Sequence, residues 1–105
     1  MSRQSENQQD SAKCATYLKG LADTVRLQIV RALQSGPLSV SDLAELLELD
    51  LANVSHHLRV LYHADIVTNQ RDGKYIYYTL NIGFLRSHAA SKSLDFGCCS
   101  IDLRG

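Results

Sequence analysis

The feature that most restricts the fold is the short interval between two helical segments in the middle of the chain. Ser41, with Asp42 behind it, can cap a helix, because a side-chain oxygen there accepts from a backbone N–H that has no other partner. In that helix Leu43, Leu46 and Leu47 face inward while Glu45 and Glu48 face water. Asp50 then caps a second run, from Leu51 to about His63, only a few residues after the first ends. At about 100° per residue, Leu51, Val54, Leu58 and Leu61 gather on one side of it. Ala52, His56, Arg59 and His63 gather on the other, with Ser55 flanking the polar side near the helix start. Two helices joined by so tight a turn are the outline of a helix-turn-helix.

Downstream of this motif lies "IVTNQRDGKYIYYTL", two β-rich runs around Asp72-Gly73. Such a pair signals a two-residue hairpin turn, since a type I′ turn needs positive φ at both positions. Arg71 and Lys74 bracket the tip. A helix-turn-helix followed by a hairpin with a basic tip is a winged helix, an α+β fold that is mostly helical with a two-stranded wing. Upstream, Cys14, Tyr17, Leu18 and Leu21 form one apolar stripe of a first helix starting near Ser11. Asp23 caps a second helix through Thr24 to Gln34, which is apolar most of the way round and is stopped by Gly36-Pro37. Residues 1–10 have no periodicity and read as a disordered tail. Residues 11–95 read as the winged-helix and dimerisation domain, and residues 96–105 as a cysteine-containing tail.

With 105 residues the chain has room for one modest core. The 45% hydrophobic and 21% charged residues are those of an ordinary globular domain. Net charge is zero, so any attraction for nucleic acid must be local, at the polar helix face and the hairpin tip. No apolar run reaches the roughly 20 residues that span a bilayer, and the polar start has no signal-peptide core. The expected location is therefore the cytoplasm, without a membrane partner. In that reducing compartment three cysteines are free thiols, metal ligands or redox groups rather than a disulfide framework. No phosphate-cradling glycine loop, HExxH or catalytic cysteine signature is present, which argues against an enzyme.

Three stretches, "LKGLADTVRLQIVRAL", "VSDLAELLELDLANVSHHLRVLYHADIV" and "NQRDGKYIYYTL", closely resemble the ArsR/SmtB family of bacterial metal- and metalloid-responsive repressors. The resemblance covers residues 14–82, and Leu-Ala-Asp, Ser-His-His-Leu and Arg-x-Gly-x-x-x-x-Tyr in that order are specific. It implies a homodimeric winged helix, with first and last helices at the dimer interface, that holds operator DNA at an inverted repeat until an inducer releases it. No cofactor is implied for DNA binding itself. The family's recognition-helix contacts carry over to Ser55 and His56, so the candidate DNA-binding residues are Asn53, Ser55, His56, Arg59, Arg71 and Lys74. The apolar surface expected to meet a second copy is Tyr17, Leu18 and Leu21 on the first helix, with Phe84, Leu85 and Leu94 after Ile82.

Departures from the family pattern point to the inducer. Many members carry Cys-x-Cys at the start of the third helix, where this chain has Ser39 and Ser41. Hydroxyls do not replace thiolates for soft ions. Other members bind zinc through Asp-x-His at the last helix, where this chain has Asn81-Ile82-Gly83 and, further on, Leu94 and Gly97. The remaining candidate is the adjacent pair Cys98-Cys99. Two thiolates with Cys14 as a third would make the pyramidal site that As(III) or Sb(III) prefers, across the dimer. Each feature has a plainer role as well. Cys14 suits core or dimer packing, and "CSIDL" read as a strand would bury Cys99 with Ile101 and Leu103. His57 lies at the edge of the apolar face and reads as structural, His88 as a surface residue, and Ser55 as an addition to helix capping. The same thiols would serve a redox- or persulfide-sensing repressor, and the fold alone would serve a winged-helix interaction module that binds no DNA.

Overall fold

A computed structural model describes residues 2–81, 93–95 and 100–102, with side chains from residue 11 to residue 81. The chain runs α1 (Ser2–Leu21), α2 (Thr24–Leu33), β1 (Leu38–Ser39), α3 (Val40–Leu47), α4 (Leu51–His63), β2 (Val67–Asp72), β3 (Tyr75–Leu80), β4 (Ser93–Asp95) and β5 (Ser100–Asp102). This is the expected winged helix-turn-helix: α3 and α4 form the motif, and β2 and β3 the wing. The first helix starts at Ser2 rather than near Ser11, so the residues expected to be a disordered tail continue it. Glutamine and glutamate propagate a helix readily once the packed turns around Tyr17 have nucleated it.

The caps set the helix boundaries. Asp23 Oδ1 accepts from the N–H groups of Val25 at 2.8 Å and Arg26 at 3.1 Å, and Asp50 Oδ1 from that of Asn53 at 2.7 Å. The third helix is capped by Ser39 rather than Ser41. Ser39 Oγ accepts from Asp42 N–H and Asp42 Oδ2 accepts from Ser39 N–H, each at 3.1 Å. The reciprocal pair needs a hydroxyl residue three positions before Asp42, which is Ser39 and not Ser41. The tight corner between α3 and α4 is made by Glu48 at a left-handed φ of 57°, which lets Leu49 N–H reach Ala44 C=O at 2.9 Å.

β1, β3 and β2 form an antiparallel sheet in that order, with Leu38 opposite Tyr78 and Val67 opposite Leu80. The strand β1 carries no sequence signal, being two residues ahead of a helix. The wing turn is one residue later than expected. Asp72 pairs with Tyr75, so the turn residues are Gly73 and Lys74, and only Gly73 has positive φ, 64°. Glycine at the first central position is the type II′ arrangement, which leaves Asp72 to finish the strand.

The core gathers Tyr17, Leu21, Ile29, Val30, Leu33, Leu43, Val54, Leu58, Leu61, Ile66, Val67 and Leu80. Three leucines expected on inward faces are not buried: Leu18 is 46% exposed, Leu46 61% and Leu51 54%. Tyr17, Gly20 and Leu21 turn inward together, which puts Leu18 about 100° away on the outer side. Tyr17 and Leu21 therefore belong to this chain's own core, not to a surface held for a second copy. Leu46 and Leu51 flank the α3–α4 corner on either side of Glu48. Leu94, assigned by sequence to the last helix, instead pairs with Ile101 in the antiparallel β4–β5 ribbon. "SLDF" and "SIDL" alternate apolar and polar residues with period two, a strand pattern. Phe84, Leu85 and His88, and with them the body of the expected last helix, lie outside the described residues.

Candidate nucleic-acid interface

The buried stripe of α4 is Val54, Leu58 and Leu61, each wholly inaccessible to solvent. This fixes what the opposite face presents: His56 and Arg59 are exposed, while Asn53 and Ser55 are half-buried beside them. One turn of helix separates His56 from Arg59, so their side chains stand on one face. Beside α4, and packed against it, β2 runs out into the wing, where every residue of the strand after Val67 is exposed. Arg71 and Lys74 are both exposed at the tip. Lys74 Nζ sits 5.5 Å from the centre of the Tyr75 ring, a cation–π contact that holds the ammonium over the turn. Tyr75 and Tyr77 lie 6.3 Å apart on one face of β3, and Arg71 faces Ile76 across the ladder. The arrangement offers imidazole and guanidinium donors on a rigid helix and two cations on an extended arm.

His57, the other histidine of the pair, lies about 100° further round α4, towards the core, with its ring centre 5.4 Å from that of His56. Its side chain is 12% exposed, and its Nδ1 lies 3.1 Å from Arg26 Nη1 and 3.8 Å from Asp23 Oδ1. A guanidinium only donates, so in this contact Nδ1 stands as the acceptor, the geometry of the tautomer that carries its proton on Nε2. At 3.8 Å the Asp23 carboxylate is beyond hydrogen-bond distance and is the weaker neighbour. His57 is thus structural, as expected. Arg26 also donates through Nε to Gly20 C=O at 2.6 Å. The Asp23 carboxyl is held below the usual carboxylate range, chiefly by the hydrogen bond from Arg26 N–H. Sequence reasoning gave Arg26 no role. Nothing on α2 marks it out, since the same helix also carries Arg31.

Of the candidate metal ligands, Cys14 is half-buried on α1 and is paired in a disulfide. The chain's two other cysteines, Cys98 and Cys99, lie outside the described residues. Among the described residues no group of three His, Cys, Asp or Glu side chains is placed to hold a metal ion. No described helix is long and apolar enough to cross a membrane.

Residues 23–69, from the α2 cap to the first half of the wing, match the family described as bacterial regulatory protein, arsR family. The chain is 43% identical over 72 residues to the HTH-type transcriptional regulator NmtR of Mycobacterium tuberculosis, covering 69% of this chain and 60% of that protein. It therefore spans less than two thirds of that relative. It is 37% identical over 71 residues to the arsenical resistance operon repressor of Staphylococcus aureus, covering 68% of each. Among solved structures, reduced HlyU from Vibrio cholerae matches with a TM-score of 0.67 and 36% identity over 71% of this chain and 79% of that one. The homodimeric winged helix-turn-helix DNA-binding domain of Mb0332 from Mycobacterium bovis matches with a TM-score of 0.64 and 30% identity, over 67% of this chain and 65% of that one. With the capped α3–α4 pair, the wing and these likenesses together, the chain belongs to the arsR family of bacterial regulatory proteins.

Proposed function

We propose that the chain is a cytoplasmic, homodimeric, DNA-binding transcriptional repressor whose α4 enters the major groove of an inverted-repeat operator while the wing follows the adjacent backbone. The observation that carries this reading is the two-sidedness of α4. Its apolar side is wholly buried, which leaves His56 and Arg59 outward, flanked by Asn53 and Ser55, next to a wing ending in Arg71 and Lys74. Guanidinium and imidazole donors can reach base edges, and the wing cations can neutralise phosphates. The homodimeric DNA-binding domain of Mb0332 supports the two-fold assembly. Two recognition helices on a dyad should read half-sites about 34 Å apart or a multiple of it. Selection from a random duplex library tests this. An inverted repeat with that spacing is expected, and no affinity for any duplex at low salt would refute the reading.

For the inducer we infer a thiophilic ion, As(III) or Sb(III), held by Cys98 and Cys99 with Cys14 as the third sulfur. The arsenical resistance operon repressor among the relatives supports this ion class, and the serines at positions 39 and 41 direct the site to the remaining cysteines. Changing Cys98 and Cys99 to Ser should leave operator affinity nearly intact and abolish release by arsenite. A specific observation favours a second reading: Cys14 is in a disulfide, and a disulfide sulfur is not a thiolate ligand. In that reading two thiols lose two electrons and two protons to an oxidant such as a peroxide or polysulfide, and the disulfide formed is the released state. Titrating DNA-bound protein with arsenite under reducing conditions, and separately with polysulfide, distinguishes the two. Release by arsenite alone supports the ion, and release by polysulfide alone supports the redox switch.

A further inference from the structure

Arg26 joins three parts of the fold through one side chain. Its Nε donates to Gly20 C=O near the end of α1 at 2.6 Å, and its Nη1 to His57 Nδ1 on α4 at 3.1 Å. Its own backbone N–H is held by Asp23 Oδ1 at 3.1 Å. A single guanidinium on α2 thus ties the end of α1 to the middle of α4. His57 stands between His56, which faces out, and the buried Leu58, so a rotation of α4 that moved His57 would move the outward residues with it. Gly20 is buried against Ile66, so close that an added Cβ would lie 2.8 Å from Ile66 Cδ1, and the strut therefore starts from a packed turn of α1.

We propose that Arg26 is a positioning residue for DNA recognition, setting the rotation of α4 relative to α1 through the His57 ring. The apolar stripe of α4 resists separation from the core, but interlocked methyl groups tolerate small rotations and slides. A directional hydrogen bond from a planar guanidinium held at both ends does not. Losing the strut would leave the helix folded and misaimed. Contacts to base edges depend on the aim of α4, whereas contacts to phosphate depend mainly on charge. Substitutions at position 57 leave the exposed cations of α4 and the wing, Arg59, Arg71 and Lys74, in place. The proposal rests on the DNA-binding reading above.

The test uses the full-length protein, a duplex selected by the wild type from a random library, and a mixed-sequence duplex. His57→Asn keeps an acceptor where Nδ1 stands, and His57→Leu removes it while keeping apolar bulk. His57→Leu should lose about 10- to 100-fold in affinity for the selected duplex, the scale of one or two base contacts. Its affinity for the mixed duplex and the slope of its salt dependence should match wild type. His57→Asn should recover most of the loss, and Arg26→Lys, which cannot fork to both acceptors, should resemble His57→Leu. Nitrogen-15 NMR of the imidazole should show the Nε2–H tautomer in wild type without DNA. The proposal is overturned if that spectrum shows Nδ1–H, if the leucine and asparagine variants bind alike, or if both duplexes weaken in parallel with lost thermal stability. Should wild type bind no duplex, the DNA-binding reading fails instead, and the tautomer measurement still decides the Arg26–His57 geometry.

Discussion

Helix α4 and the wing both present cations to solvent, yet they are held in different ways. Along α4, Val54, Leu58 and Leu61 are all wholly buried, and His57 adds a polar tie to Arg26. The wing is secured at its base. There Val67 and Leu80 are buried opposite one another, and Thr68 Oγ1 and Thr79 Oγ1 lie 3.1 Å apart. Beyond them Arg71, Asp72, Lys74, Tyr75 and Ile76 are all exposed. A side chain on a fixed helix meets a base edge with little further ordering, so its contacts discriminate. A side chain on a two-stranded arm adapts to the backbone, so its contacts attract. Under the proposed function, the difference predicts specificity from α4 and salt-dependent affinity from the wing.

The most damaging way to break that contrast is to empty the core beneath α4. Leu58→Ala removes a wholly buried side chain and should destabilise the fold by about 2–5 kcal/mol, depending on how far the site collapses. Denaturant titration measures it. Ile76→Ala at the wing tip, where the side chain is 37% exposed, should change stability by less than about 0.5 kcal/mol. Comparable losses at the two positions would mean that the wing is packed as firmly as the helix.

The segment between α4 and β2 offers a second lever. Gly20 of α1 packs so closely on it that a Cβ would sit 2.8 Å from Ile66 Cδ1 and 3.2 Å from Ala64 Cβ. Ile66 is wholly buried and has little room to yield, so Gly20→Ala should cost about 1–3 kcal/mol despite alanine's better helix propensity. A melting temperature at or above wild type would show that α1 can move off this segment. The third lever acts on binding alone. Arg59→Ala removes an exposed guanidinium from the fixed face and should cost about 1–3 kcal/mol against the selected duplex with thermal stability unchanged. Equal losses against selected and mixed duplexes would move Arg59 from base reading to phosphate contact.

Much of this architecture was legible because its signals are local. Asp23 and Asp50 mark helix starts by chemistry that needs nothing beyond three residues, and the α4 stripe is a matter of period. Most of what escaped depended on distant partners. The pairing of Ser39 with Tyr77 in β3 leaves no pattern to read in a two-residue strand, whereas the Ser39–Asp42 capping box is a local signal that the choice of Ser41 passed over. The period of α1 marked Tyr17, Leu18 and Leu21 as one stripe but could not divide it between the chain's own core and its surface. The Arg26–His57 contact joins residues 31 apart, and neither position is unusual on its own helix. Of the candidate site, the outward set on α4 followed from the angular pattern, whereas the wing turn moved by one residue because Gly73 occupies the first central position.

The smallest expected effect is at the wing, and it is read as a slope rather than an energy. Each phosphate neutralised by a cation releases condensed counterions, so the logarithm of affinity falls with the logarithm of salt by about 0.9 per contact. Arg71→Ala should therefore reduce the slope by about 0.9 if its guanidinium touches the backbone, and Lys74→Ala by the same amount. At moderate salt the accompanying loss of affinity should be less than about tenfold and equal for selected and mixed duplexes, because a phosphate contact carries no sequence information. Asp72, exposed between these cations, provides an internal control. Asp72→Asn removes a repulsive charge without adding a contact, so affinity should rise modestly for both duplexes. Stability should stay nearly constant in all three variants, since none of these side chains is buried. An unchanged slope for both cation variants would place the wing off the DNA backbone and leave α4 as the sole reader. A slope change confined to the selected duplex would show instead that the wing tip reads the groove, erasing the division of labour between helix and arm.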